Sequence, residues 1–381
     1  MLEKRIKTYL WLLGQSVRTE HDDALCSPPP ETHIDWHDLL QFAFYRSVAG
    51  VYWLGITNIF ESENNPYKSI LNKPTDDDVM EWLEVVNETK RRNLDHYKRT
   101  AFVFETFKKE GFRCCILKGQ SNAVLYPNPF IRATGDIDLW LDASREDAVN
   151  YVRKIFPKSH DSNRHHIDFP IFQSIGVEVH YYPSYMRNPV HNRRLRQYFG
   201  KVRGEQMTNL VTLPIGKPIA IPIPELNVIF QLCHVMQHFI AQGIGFKQLV
   251  DYHYVLKTYY EWRGKHPEAE DITKLLKRFG LYKFSRTMMY IMQEATGLDE
   301  KYLITPPDKK RGAVVLESIV IDEHSQTGEI KNILDLNNYT LIQRQFLKTI
   351  RTIRLSFYFP GEALWGLCIR IKDAIIQIFR H

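Results

Sequence analysis

The sequence predicts an α+β fold: a small mixed β-sheet core with its own helices, flanked by an N-terminal helical cap and a mostly helical C-terminal domain. Three observations predict it. The first hundred residues carry apolar positions at helical spacing. Short apolar or alternating stretches between Phe112 and Tyr182 read as strands. Helical periodicity returns after Pro224 and persists toward the end. The boundaries fall at residues 1–110, 111–224 and 225–381, and 381 residues are ample for two or three such units.

Leu2 to about Val17 reads as an amphipathic helix, followed by a Pro-rich break at Ser27-Pro28-Pro29-Pro30. Asp35 suits the N-cap of a helix running from Trp36 through Phe60, dense enough in Phe, Tyr and Leu to be buried on more than one side. Ser62 to Asp76, with Pro66 and Pro74, is a connection. A helix then runs from Asp77 or Asp78 to Gly111, where a C-cap glycine belongs. Phe112 to Leu117 is the first core strand, a short helix follows Gly119, and Ile137 to Leu141 is the second strand. Ser144 opens a helix reaching Phe156, and its first turn is acidic. His165 to Phe172 and Gly176 to Tyr182 alternate as an antiparallel pair. Met186 to Phe199 is read only as basic, with Arg187, Arg193, Arg194 and Arg196. Val211 to Ile223 suggests a hairpin around Gly216. Pro224 opens a helix through Gln242. Further helices are expected at about Phe246–Glu261, Asp271–Phe279, Tyr282–Thr296, Gly312–Val320, Leu341–Ile353 and Gly361–Phe379. The last has Leu364, Leu367, Cys368, Ile371, Ile375 and Phe379 on one stripe.

Composition excludes some classes of function. With 44% hydrophobic and 25% charged residues the chain is globular, not disordered. A net charge of +6 permits a phosphate-bearing partner without demanding one. No Lys/Arg tract and no basic stripe with interleaved aromatics marks a nucleic-acid channel, so a polymerase is not favoured. The five cysteines, Cys26, Cys114, Cys115, Cys233 and Cys368, are odd in number, scattered and without zinc-ligand spacing. They read as structural thiols of a reducing, cytoplasmic compartment. The first eighteen residues lack the apolar centre of a signal peptide, and no run is long enough to span a membrane.

Chemistry concentrates around Leu117-Lys118-Gly119-Gln120-Ser121 and Gly135-Asp136-Ile137-Asp138-Leu139. Residues two apart on a strand share a face, so Asp136 and Asp138 lie together. Two such carboxylates repel unless a cation sits between them, and Mg²⁺ or Mn²⁺ bound with a substrate's phosphates suits the pair. Val177-Glu178-Val179-His180 alternates likewise, placing Glu178 and His180 on one face. A strand beside the first would bring Glu178 to the same metal. A solvated strand face is the plain alternative for an isolated Asp-x-Asp.

This set resembles the DNA-polymerase-β-like nucleotidyltransferase superfamily, and more narrowly its uncharacterised bacterial nucleotidyltransferase family. The resemblance rests on Leu117-Lys118-Gly119, Tyr126-Pro127, Arg132 with Gly135-Asp136-Ile137-Asp138-Leu139, His165-His166, Val177-Glu178-Val179-His180 and Gly243-Ile244-Gly245-Phe246-Lys247-Gln248-Leu249-Val250-Asp251. Lys247 stands where the pattern has arginine, which keeps the charge and loses the bidentate fork. The resemblance implies two-metal transfer of a nucleoside monophosphate from a triphosphate to a hydroxyl of a small molecule or protein. Asp136, Asp138 and Glu178 would hold the metals. Lys118 and the Gly119-Gln120-Ser121 turn would meet the triphosphate. Arg132, His180, Lys247 and Asp251 would contribute to the nucleotide or acceptor site; the plain alternatives are that Arg132 pairs with one of the aspartates, that Lys118 is a solvated strand-end lysine, and that Lys247, Gln248 and Asp251 form an exposed helix face.

Several readings stay open. His180 is a substrate contact, a donor to a carboxylate, or a satisfied histidine beside the core. His165 and His166 point opposite ways on a strand, so one of them at most faces the site and the other is an ordinary histidine. His234 and His238, four apart on a helix, share a face but lack an identifiable third metal ligand, which favours a structural or acceptor-binding role. An Asp-x-Asp glycosyltransferase is the first competing class, disfavoured because helices, not a βαβ unit, precede the motif. A non-catalytic, antitoxin-like or nucleotide-binding protein that keeps the fold is the second.

Overall fold

The computed structural model describes residues 2–19, 22, 27–162, 164–241, 243–324, 357–366, 368 and 369. The helix expected at Leu341–Ile353, and most of that at Gly361–Phe379, lie outside the described residues. The architecture is α+β, with a four-stranded mixed sheet and a separate two-stranded hairpin set among helices.

The N-terminal helices are α1 (Lys4–Val17), α2 (Trp36–Tyr45), α3 (Ala49–Glu61) and α4 (Asp76–Lys109). The single helix expected over Trp36–Phe60 is in fact α2 and α3, parted by a tight C-terminal motif. The Val48 N–H donates to the Ala43 carbonyl (2.9 Å) and the Ser47 N–H to the Phe44 carbonyl (3.0 Å). Ser47 takes the left-handed conformation (φ 59°) usually given to glycine. Asp35 caps α2 as expected, its carboxylate accepting from the Asp38 N–H at 2.9 Å. Thr75 and Asp78 form a capping box at the start of α4, and Gly111 (φ +84°) follows its end.

The sheet comprises β1 (Cys114–Ile116), β2 (Ile137–Leu141), β3 (His166–Asp168) and β4 (Val177–His180), in the order β1-β2-β4-β3. β2 runs parallel to β4, and the outer pairs are antiparallel. All five residues of β2 are buried, so the alternation in Asp136 to Leu141 does not mark a solvated edge. Register then places the chemistry in two adjacent rows. Asp138 lies opposite Glu178, which lies opposite Asp168; Trp140 lies opposite His180, which lies opposite His166. Between β1 and β2 comes the single-turn α5 (Gln120–Ala123), and α6 (Arg145–Ile155) follows β2, capped by Ser144.

The basic stretch Met186–Phe199, left without an element from sequence, lies largely within α7 (Pro189–Gln206). Asn188 caps it by accepting from the Val190 and His191 N–H groups, with proline at the first helical position. The expected hairpin is β5 (Leu210–Thr212) and β6 (Pro218–Ala220). The remaining elements are α8 (Pro224–Ala241), α9 (Phe246–Lys265), α10 (Ile272–Arg278), α11 (Tyr282–Thr296) and α12 (Lys309–His324). No helix among the described residues is long and apolar enough to cross a membrane.

Two buried devices fix the segment that leads into β2. From α4, the Asn93 amide donates to the Phe130 and Arg132 carbonyls (2.8 and 2.5 Å), and His96 Nε2 lies 2.7 Å from the Gly135 carbonyl. From α9, Asp251 receives a two-pronged ion pair from Arg132, Nε to Oδ1 at 2.7 Å and Nη2 to Oδ2 at 2.8 Å. The Tyr126 hydroxyl adds a third bond at 2.6 Å. Asp251→Ala strands the Arg132 charge and is expected to cost about 3–5 kcal/mol. Replacing both partners by Met and Leu is expected to cost less than that single change, as read from urea denaturation. Burial works against the Asp251 charge, but Arg132 overrides it and holds the carboxyl below its ordinary 3.8. The pair's contribution is therefore intact at neutral pH and disappears only as pH falls below that range.

Candidate active site

Lys118 occupies the centre of the site. It follows β1, and its ammonium lies 2.9 Å from a carboxylate oxygen of Asp136 and 2.9 Å from one of Asp138. The two aspartates share a face, as their spacing predicts, and the cation between them is this lysine. Asp138 is fully buried, while Asp136 sits just before β2 and is partly exposed. Burial works to raise the Asp136 carboxyl, but the Lys118 charge outweighs it and holds the group at about 2. Asp138 is pushed up, by burial first and then by the Asp136 charge. The aspartates in turn raise the Lys118 ammonium despite its burial, so it stays charged.

Glu178 reaches the same place from β4. His180 stands between it and Asp138, with Nε2 3.0 Å from Asp138 Oδ1 and 3.2 Å from Glu178 Oε2. Burial opposes the imidazolium, yet the two carboxylates hold His180 at about 9. Glu178 sits at about 2, its burial outweighed by His180 and then His166. Ligand atoms of Asp138, Glu178 and His180 lie within 4.8 Å of one another. The carboxylate oxygens fit a hard divalent ion; Asp136 joins them through Lys118.

The other sequence candidates divide. Gly119 has φ +70°, and a side chain there would come 3.2 Å from the Asp136 carbonyl, so glycine is required where the chain turns past the aspartates. Gln120 and Ser121 are buried, not displayed. Gln120 donates to Asn93 at 3.1 Å, while the Ser121 hydroxyl makes no hydrogen bond among the described residues. The Arg132 fork is taken up by Asp251 and the Ala133 carbonyl, so neither Arg132 nor Asp251 is offered to a phosphate. Lys247, at the start of α9, does face the site: its ammonium is 3.4 Å from the Thr134 carbonyl and beside Gly135. Burial, then the Arg132 charge, brings it down to about 8.

One histidine expectation changes. His165 precedes β3, so strand alternation does not apply to it, and both His165 and His166 face His180, with ring centroids 5.2 and 5.3 Å away. The His234 and His238 rings lie with centroids 4.3 Å apart, tilted at 58° to each other. Both are pushed down by burial first and then by the Lys118 charge, which places them behind the same site. Asn93, His96 and Asp168 were not foreseen; a lone polar residue on a long helix or short strand carries no periodic signal. Beyond β4, Arg196 stacks on Tyr182 at 4.3 Å in the wall of a cavity of ≈540 Å³ that Arg193 and Arg203 also line.

No curated protein is significantly similar to the chain in sequence. Among solved structures, an antigenic nucleotidyltransferase-like protein from Paracoccidioides brasiliensis is 13% identical. That match covers 50% of this chain and 93% of that one with a TM-score of 0.28, too distant to carry an argument. The family described as uncharacterised nucleotidyltransferase matches residues 32–297, which span α2 through α11 and every residue of the site. The chain belongs to this uncharacterised nucleotidyltransferase family.

Proposed function

We propose that the protein transfers a nucleoside monophosphate from a nucleoside triphosphate to a hydroxyl-bearing acceptor, using Mg²⁺ or Mn²⁺ held by Asp136, Asp138 and Glu178. The observation that carries this reading is the linkage of all three carboxylates, from β4 and from β2 with the residue before it: Lys118 joins Asp136 to Asp138, and His180 joins Asp138 to Glu178. Bound there, divalent ions supply charge neutralisation at the triphosphate and activation of the attacking oxygen.

The chain's own residues prepare the rest. Lys118 balances the carboxylates in the absence of metal and is positioned to meet phosphate oxygens once an ion takes them over. Lys247 supplies a second cation, from α9, with only a carbonyl as hydrogen-bond partner among the described residues. His180 fixes Asp138 and Glu178 in register. The arginine-lined cavity beyond Tyr182 suits an acceptor with an anionic group.

Thermal shift with each of the four ribonucleoside triphosphates, with and without Mg²⁺ or Mn²⁺, tests the reading. A triphosphate at about one hundred times Kd raises apparent stability by about 2.7 kcal/mol. The expected result is a metal-dependent rise with one triphosphate, lost in Asp138→Asn. A rise with a sugar nucleotide alone would favour glycosyl transfer, and no rise with any nucleotide would favour a non-catalytic partner. Lys247→Met separates binding from folding. It removes a half-buried ammonium without a carboxylate ion-pair partner among the described residues, so the nucleotide-free protein is expected to be at least as stable. Triphosphate binding in the same variant is expected to weaken by about 1.5–3 kcal/mol, measured by calorimetry.

A further inference from the structure

Three imidazoles and a carboxylate converge beside the aspartate pair. His166 Nδ1 lies 3.2 Å from His165 Nε2 and 3.3 Å from Glu178 Oε2, and Glu178 Oε2 lies 3.2 Å from His180 Nε2. Nitrogens of His165, His166 and His180 fall within 4.8 Å of one another. Atoms bound to one tetrahedral zinc at 2.0–2.1 Å are about 3.3 Å apart, so the three measured separations match the edge of such a site.

The surrounding groups are those that orient metal ligands. His180 Nδ1 lies 3.3 Å from the Tyr182 carbonyl; donation there leaves Nε2 as the ligating atom. Asp168 stands 3.7 Å from His166 Nε2, behind the ring. Sheet register sets His166 directly opposite His180 and keeps the row rigid. Imidazole nitrogens discriminate strongly among divalent ions. They suit zinc and its first-row neighbours, while Mg²⁺ prefers oxygen ligands and water.

We propose that His165, His166, His180 and Glu178 form a site for a divalent transition metal, with zinc the best match, adjoining the harder Asp136–Asp138 position. The two positions meet at His180, whose Nε2 is 3.0 Å from Asp138 Oδ1. The proposal rests on and deepens the metal-dependent reading of this site, with Glu178 shared: Oε2 faces the imidazoles, and the second oxygen is the one left for the Asp136–Asp138 position.

Cobalt(II) is the probe, because imidazole-bound tetrahedral Co²⁺ absorbs visible light and hydrated Co²⁺ barely does. The full-length protein is stripped with a chelator and titrated with Co²⁺, followed by Zn²⁺ or a large excess of Mg²⁺. The expected result is one equivalent of strongly absorbing Co²⁺, displaced by Zn²⁺ and not by Mg²⁺. His166→Gln, checked for a wild-type unfolding midpoint, is expected to weaken Co²⁺ binding by more than the roughly 10- to 100-fold that loss of a supporting residue costs. Asp136→Asn is expected to keep the bands. Absence of bands in the wild type, displacement by Mg²⁺, or bands untouched in a folded His166→Gln would each overturn the proposal. If the bands are absent while the Mg²⁺-dependent nucleotide shift remains, the transfer reading survives and only this site falls. If the bands are present without any nucleotide shift, this site stands and the transfer reading falls.

Discussion

The Lys118 ammonium between Asp136 and Asp138 is the interaction on which the rest depends. Two carboxylates about 5 Å apart repel by about 3 kcal/mol even at an effective dielectric of about 20, and Asp138 is fully buried. A sheet would not hold such a pair without a cation. The chain supplies its own, at equal distance from both groups. On the proposed reading, a site balanced this way is poised to exchange an ammonium for a divalent ion. Gly119 belongs to the same arrangement, since only glycine lets the chain turn past Asp136 directly after Lys118.

Around that centre the helices act as a mould. Asn93 and His96 of α4 grip the carbonyls of the segment entering β2, while Asp251 of α9 grips Arg132 from 119 residues further along the chain. Residues separated by more than a hundred positions thus fix where Asp136 and Asp138 begin. The Arg132–Asp251 pair is buried and bidentate, a geometry that sets position more than it adds net stability. The outer helices contribute to the function through placement, and Lys247 is the residue of α9 that reaches the site with a charge to offer.

Much of this was legible in the sequence, for identifiable reasons. β4 announces itself by alternation, as does Asp136-Ile137-Asp138 at the entry to β2, so the shared face of Asp136 and Asp138, and of Glu178 and His180, follows from extended-chain geometry. The helix starts at Asp35 and Ser144 were marked by capping residues. What stayed hidden is equally specific. The break between α2 and α3 uses a serine in a conformation that normally advertises glycine. α7 begins with an ordinary Asn-Pro start whose basic, weakly periodic body conceals it. The Arg132–Asp251 partnership is long-range, and each residue alone looked like a phosphate or acceptor contact. His165 was misjudged because alternation was applied one residue beyond the end of the strand.

The central claim is that Lys118 holds the place of a divalent cation. A titration with Mn²⁺, following the electron paramagnetic resonance signal of the free ion, tests it most directly in the wild type and Lys118→Met. Removing the ammonium leaves the aspartates without their internal cation. The account predicts that Lys118→Met binds Mn²⁺ more tightly than the wild type does and gains more thermal stability from it. Equal or weaker binding in a folded Lys118→Met would contradict it, and would return the lysine to the status of an ordinary structural ion pair.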